Sequence, residues 1–540
     1  MSRETSESHA KPVTFEAGAR AMENVLRTRG PEAYFANAAD PLRAAFVAKA
    51  RVHSGPGGMP QAGSEARATL AGLADRPRTG KTLAYVHVPF CETRCLYCMF
   101  YQNPYRADAA HAYAETLVKE IELWGRKAVT TGRPVHAVYF GGGTPTALAA
   151  SDLKRVLDTL RRVLPLSNDC EITIEGRIHN FDAEKIEAAL EGGANRFSLG
   201  VQTFNTEIRR SMMRVDDRDA CLRRLEELSS YDNAAVVMDL IYGFPGQTPE
   251  VWEEDLKIAA SLPLDGIDCY QLNVFEKSPL ARYVANGKLP SAADTAQKAE
   301  MFARSVEYFT RANWRRLSNN HWGRGTRERN IYNTLGKGPC DCLAFGSGAG
   351  GRLSGHGFML ERTLADYTRA VEAGEKPAAF LTVPSDDWAL MRTISSDMES
   401  GALCLPEIER RFGVELERHA APVVNQWIDA GLLRREGDWL HQTVAGQFWH
   451  VTLAQLLMDF LRSQLYPERE AMMRREMMLA GNPGRPAHPG HAAHAGHPGH
   501  PGQAAQAPHP GHPASAGHAA HGAHGAHGTC PVHSGGNLRG

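Results

Sequence analysis

The pattern of hydrophobic and polar positions changes near residue 81. From there, short apolar runs alternate with longer windows in which apolar positions recur every three or four residues. The runs Leu83–Val88, Val135–Phe140, Glu171–Glu175, Arg196–Val201, Ala234–Ile241 and Gly266–Val274 read as strands. The windows Ala109–Arg126, Ser151–Val163, Ala183–Glu191 and Pro249–Ser261 read as amphipathic helices. Strands alternating with helices imply βαβ units on a parallel sheet, an α/β fold. Six such units suit a partial (β/α) barrel or an open doubly wound sheet. In either, a site belongs at the carboxyl ends of the strands.

The same pattern divides the chain. Residues 1–80 hold short helical patterns broken by Gly and Pro, as in Ser54-Gly-Pro-Gly-Gly58, and read as a helical leader packed on the main domain. Residues 81–275 form the core barrel. Residues 276–380 extend it and include the glycine-rich stretch Phe345-Gly-Ser-Gly-Ala-Gly-Gly351. Residues 381–478 read as a small α+β module of winged-helix type, with helices at Leu390–Met398, Leu405–Phe412 and Ala420–Ala430 and a hairpin around Leu432–His441. Residues 479–540 are mostly His, Gly, Pro and Ala and are expected to be disordered, because they carry too little apolar surface to bury a core.

Composition narrows the class. The chain is 43% hydrophobic and 22% charged with a net charge of −1, ordinary for a soluble globular protein. No basic excess points to nucleic acid. No apolar run approaches the ~20 residues that span a bilayer, and the first residues lack a secretory pattern. A cytoplasmic protein with no membrane or nucleic-acid partner is expected. Its ten cysteines then favour metal ligation or burial over a disulfide framework.

The strongest chemical signal is Tyr85-Val-His-Val-Pro-Phe-Cys91-Glu-Thr-Arg-Cys95-Leu-Tyr-Cys98, three cysteines in C-x3-C-x2-C directly after a strand. Thiolates ligate the irons of a cubane cluster well, and three of them leave one iron open. A structural zinc site is the competing reading, but it needs a fourth close ligand. Further polar groups end successive strands: Gly142, Gly143 and Thr144 in Phe140-Gly-Gly-Gly-Thr-Pro145, then Glu175, Gln202 and Asp239. Glycines there expose backbone groups to a ligand, and the four strand ends converge on one mouth.

These motifs resemble radical S-adenosylmethionine (SAM) enzymes of the oxygen-independent coproporphyrinogen oxidase group, over residues 80–450. The resemblance implies a radical SAM partial (β/α)6 barrel and a [4Fe–4S] cluster on Cys91, Cys95 and Cys98, whose open iron chelates SAM and whose electron releases a 5′-deoxyadenosyl radical. It implies Tyr85 and Tyr97 beside the SAM site, Gly142, Gly143 and Thr144 at the methionine part of one or two SAM molecules, and Glu175, Gln202, Arg214 and Asp239 on SAM's polar groups. Asn273 would lie near the adenine.

Two departures separate this chain from the commonest members. Met99 and Phe100 follow Cys98 where the oxidases carry another cysteine, and Arg329 stands where the heme chaperones have a histidine. Phe100-Tyr-Gln-Asn-Pro104, Glu175-Gly-Arg-Ile178, His321-Trp322 and Arg327-Glu-Arg-Asn-Ile-Tyr-Asn333 are instead similar to the heme-utilization radical SAM methyltransferases, the HutW/ChuW or anaerobilin synthase type. That likeness implies heme as substrate, anaerobic opening of the macrocycle with iron release, and two SAM molecules. Flavodoxin or another flavoprotein would be the reductant, and a heme carrier protein a further partner. A coproporphyrinogen III oxidase, a heme chaperone and a zinc-binding regulator are the alternatives.

Heme wants cations for its propionates and an axial ligand. The candidates are Arg327, Arg329 and Arg352, with His321. Cys340 and Cys342 form a C-x-C pair that reads as two thiols rather than a metal site. In the tail, histidines recur every third residue from His488 to His500 and from His518 to His527, before Thr529-Cys530-Pro-Val-His533. Imidazoles and a Cys-Pro thiolate suit heme or metal capture by a flexible arm.

Overall fold

The apolar runs pair in chain order. The computed structural model describes residues 14–26, 30–49 and 51–468. In it, the strands Thr82–Val88, Val135–Gly142, Leu166–Arg177, Arg196–Gln202, Ala235–Tyr242 and Gly266–Gln271 lie side by side and parallel. The crossover helices are Ala107–Gly125, Ala150–Val163, Ala183–Glu191, Arg218–Ser230 and Pro249–Ser261. The last three each start under a capping side chain: Asp182, Asp217 and Thr248 accept from the backbone amides of Lys185, Ala220 and Val251. Each cap satisfies an orphan donor and ends the preceding loop at a defined residue.

The sheet is larger than six strands. Asp341–Phe345 pairs parallel to Thr82–Val88 and adds a seventh. Beyond it, Gly350–Leu353, His356–Leu360 and Ala378–Pro384 follow antiparallel. The glycine-rich stretch turns the chain between them. A Cβ at Gly346 would collide with the His87 carbonyl and the Tyr113 hydroxyl, and its φ of 98° is left-handed, so only glycine fits. At the opposite edge, His321–Gly323 and Arg315–Arg316 pair antiparallel beside Gly266–Gln271.

Two sequence expectations change here. The leader is not purely helical: Gly58–Ala62 is an edge strand on Ala378–Pro384, where Pro60 is tolerated because an edge has one unpaired side. The sixth strand ends at Gln271 rather than Val274. Leu272 and Val274 turn away into a separate apolar cluster with Leu96, Met212 and Phe244.

The sheet curls around a shared interior. Tyr332, on the helix Ile331–Lys337, stacks on Tyr139 at 4.6 Å and lies 6.4 Å from Tyr85, so three elements meet there. Helices Trp388–Ser400, Leu405–Phe412 and Glu417–Asp429 pack with a three-stranded antiparallel sheet of Ala402–Cys404, Trp439–Gln442 and Leu433–Glu436. Among the described residues no helix is long and apolar enough to cross a membrane. The His-rich segment, with Cys530 and His533, lies outside the described residues.

Candidate active site at the carboxyl ends of the strands

The cysteine loop leaves the first strand at Pro89 and is clasped at its base. Phe90–Cys91 pairs with Asn103–Pro104, and the Tyr105 amide donates to the Cys91 carbonyl at 3.0 Å. Cys91 and Cys95 are buried and Cys98 half-buried. Among the described residues, no three His, Cys, Asp or Glu side chains gather at the spacing of a single-ion site. Three thiols on one loop suit a cluster that takes one thiolate per iron and leaves one iron open.

Each sulfur has a donor. Thr144 Oγ1 donates to Cys91 at 3.4 Å, the Phe100 amide to Cys98 at 3.3 Å, and Arg177 Nη2 to Cys95 at 2.6 Å. Arg214 Nη1 lies 3.7 Å from the Cys95 sulfur and donates to the Tyr97 hydroxyl at 3.2 Å. Burial pushes the Cys91 thiol up, and burial followed by the neighbouring Cys95 pushes Cys98 up to about 11. Burial acts the same way on Cys95, but Arg214 and then Arg177 overcome it and bring that thiol below its ordinary value. The donor set is therefore three sulfurs inside a cationic rim, which fits an iron–sulfur cluster.

The polar strand ends surround this loop. Glu175 accepts from the Tyr139 hydroxyl at 2.7 Å, and burial raises its carboxyl. Ser198 Oγ donates to Asp239 at 3.3 Å. Burial first, then the Asp268 and Glu175 carboxylates, push Asp239 well above the usual range. Gln202 ends the fourth strand with a φ of 75°, and its buried Oε1 has no hydrogen-bond partner, like Nε of Arg214. A non-glycine residue held left-handed with an unsatisfied polar atom is a common mark of a ligand site. The glycine run is tightly wrapped: a Cβ at Gly143 would stand 2.6 Å from the Phe90 carbonyl oxygen, and one at Gly142 2.5 Å from the His87 ring. Tyr97 packs on Phe244 at 5.2 Å. Tyr85 faces His87, with 3.1 Å between its hydroxyl and Nδ1. Asn273 lies past the last strand, where its Oδ1 accepts from Gln271 at 3.3 Å.

Three of the heme candidates lie elsewhere. His321 is wholly buried, with Nδ1 2.7 Å from Asp268 and Nε2 3.1 Å from Glu328, which in turn pairs with Arg196 at 3.0 Å. Both ring nitrogens face carboxylates, so the expected axial ligand is instead the centre of a buried charge chain. Arg327 pairs with Asp232 at 2.6 Å and Arg329 with Asp169 at 3.4 Å. Asp232 precedes its strand and Asp169 lies early in its own, so both arginines belong to the end of the barrel opposite the cysteine loop.

Arg352 lies differently. It lines a cavity of about 450 Å³ beside the first strand, together with Tyr85, His87, Phe100, Gln102 and Arg392. Phe100 lies two residues after Cys98, so this cavity reaches the cysteine loop. Arg177, Gln102 and Arg392 are not among the candidates that the sequence offers, and His87 stands there only as a residue of the strand before the cysteine loop, a poor metal ligand. Arg177 was within reach, since it shares a strand face with Glu175 at i+2. Arg392 carries no local signal, because it comes from the C-terminal module.

Residues 85–259 match the radical SAM superfamily. Anaerobilin synthase of Escherichia coli O157:H7 is 45% identical over 386 residues, 71% of this chain and 85% of that protein. The oxygen-independent coproporphyrinogen III oxidase of Pseudomonas aeruginosa is 27% identical over 416 residues, 73% of this chain and 89% of that one. In three dimensions the chain is similar to coproporphyrinogen III oxidase from Escherichia coli, with a TM-score of 0.64 and 23% identity over 73% of this chain and 93% of that one. By its identity to the first of these over most of both lengths, the chain belongs to the anaerobilin synthase family of radical SAM enzymes.

Proposed function

We propose that this enzyme opens heme without oxygen, releasing a linear tetrapyrrole and iron. The observation that carries the reading is the continuity between the cysteine loop and the cavity: Phe100 donates its amide to the Cys98 sulfur and is itself part of the cavity wall. Cys91, Cys95 and Cys98 hold the cluster, which with SAM supplies one-electron cleavage chemistry.

The remaining work falls to this chain's own side chains. Glu175, Gln202, Asp239 and Arg214 hold the polar groups of SAM: the unsatisfied Gln202 Oε1 and Arg214 Nε are vacant for such bonds. Gly142, Gly143 and Thr144 present the backbone to the methionine part, with Tyr85 and Tyr97 at the flanks and Asn273 towards the adenine. A second SAM molecule would supply the one-carbon unit, and a flavoprotein would supply electrons. The helix Ile331–Lys337 closes the interior below, so the reaction faces the carboxyl ends of the strands. The His-rich segment with Cys530 and His533 serves as a heme- or metal-capturing arm.

Anaerobic reconstitution with iron and sulfide, followed by incubation with heme, SAM and a low-potential reductant, tests the proposal by product mass. A ring-opened tetrapyrrole one carbon heavier than its parent supports it. Unchanged heme alongside 5′-deoxyadenosine, or conversion of coproporphyrinogen instead, overturns it.

A further inference from the structure

We infer that the cavity beside the first strand seats heme lengthwise, with the propionates held by Arg352 and Arg392 and the opposite edge of the macrocycle presented to the cysteine loop. This rests on the proposed action on heme and adds the orientation of the substrate.

Charge is the first ground. The cavity wall includes four arginines, Arg51, Arg352, Arg362 and Arg392, and no Asp or Glu. Arg352 and Arg392 converge on the same two carbonyls at the end of the helix Ile331–Lys337. Arg352 Nη2 donates to Gly336 and Gly338 at 3.0 and 2.9 Å, and Arg392 Nη2 donates to Gly336 at 2.6 Å. Nη1 of each makes no hydrogen bond among the described residues. Burial first, and then the charge of Arg352, lowers Arg392 to about 10. Glu399 is the acidic group that offsets this, but it accepts from Ser54 at 2.9 Å and is not part of the cavity wall. Asp341 acts in the same way on Arg352, but it accepts from the Ser354 amide at 2.7 Å and is not part of the cavity wall either. Two guanidiniums crowded in a wall that holds no carboxylate are stabilised by an anion that bridges them.

Length is the second ground. Arg352 is opposite Cys342, and Cys342 is opposite Leu83. Leu83 precedes His87 by four residues on the first strand, about 13 Å at the usual rise. The cavity wall runs from Leu83 to His87 and on to Phe100, a length comparable to that of a porphyrin laid between the arginine pair and the loop.

Shape is the third. Beyond the first strand the wall is rich in glycine, including Gly350, Gly355 and Gly357. A Cβ at Gly357 would meet nothing within 4 Å, and Gly357 lies opposite Arg352. Internal packing does not require glycine there, whereas a flat ligand lying against the wall does.

Heme and heme dimethyl ester, titrated anaerobically into the cluster-loaded protein and followed by Soret absorbance, test the orientation without any substitution. Heme is expected to bind about tenfold or more tighter than its ester, the equivalent of at least one lost charge-assisted bond. Gly357→Leu, which fills the space beside Arg352, is expected to lower heme affinity by about tenfold or more, while 5′-deoxyadenosine formation from SAM in the absence of heme stays at the wild-type rate. Equal affinity for heme and its ester, or unaltered heme affinity in Gly357→Leu, overturns the inference. Carboxylate-dependent heme binding with no ring-opened product would instead remove the proposed function and leave this site standing.

Discussion

Arg177 joins the third strand to the cysteine loop: its Nη2 donates to the Cys95 sulfur at 2.6 Å while its Nη1 donates to Thr93 Oγ1 at 2.8 Å. One guanidinium thus fixes both the position of a cluster cysteine and the charge beside it. Hydrogen bonds to sulfur favour the more negative, reduced state of an iron–sulfur cluster.

Arg177→Met should retain the cluster but lower its reduction potential and slow SAM cleavage. The shift is about 60 mV for each ~1.4 kcal/mol of lost stabilisation in a one-electron couple. An EPR-monitored redox titration measures it. An unaltered potential would mean that Arg177 only shapes the loop.

Cysteine substitutions should separate sharply by place. Cys98→Ser should abolish both iron retention and 5′-deoxyadenosine formation. Cys342→Ser should leave both near wild type. The Cys342 thiol is buried, and burial and then Cys340 push it up to about 12, so it stays protonated and a poor ligand at neutral pH. Iron content and deoxyadenosine yield report the difference, and iron loss in Cys342→Ser would reopen the C-x-C pair as a metal site.

The chain Arg196–Glu328–His321–Asp268 predicts a pH-dependent stability. Burial opposes the charge on His321, but Asp268 and then Glu328 raise it from 6.5 to about 9. Its contribution is fully present below 6.5 and disappears as pH rises through 9. Burial likewise opposes the charge on Glu328, but Arg196 and then His321 hold it down to about 2, so its contribution is present above 4.5 and disappears as pH falls towards 2. His321→Gln should cost about 3–5 kcal/mol by leaving buried carboxylates uncompensated. Thermal melts should show wild type losing its advantage over the variant between pH 7 and 9.5. A variant with wild-type stability but lost heme turnover would return His321 to the substrate.

Removing residues 480–540 should weaken heme or metal binding and leave SAM cleavage unchanged. Equilibrium dialysis against heme and zinc checks this, and equal affinities after truncation would end the role of the His-rich segment.

The sequence by itself determined what is encoded locally. The strand and helix periods follow from side chains alternating at 2.0 or 3.6 residues, so the order and type of the core elements were readable. The cysteine loop and the polar ends of the strands were readable too, because a motif and its strand are neighbours in the chain. What only the tertiary structure decided involves partners far apart in sequence. Arg177 meets Cys95 across 82 positions, and His321 is claimed by Asp268 and Glu328. Gly58–Ala62 finds its edge more than 300 residues away. Arg352 and Arg392 meet at the end of a helix that neither belongs to. An arginine's role is set by which carboxylate, sulfur or carbonyl the fold brings within about 3 Å of it. That is why Arg327 and Arg329, read alike with Arg352 in the sequence, end in pairs with Asp232 and Asp169, while Arg352 lines the cavity.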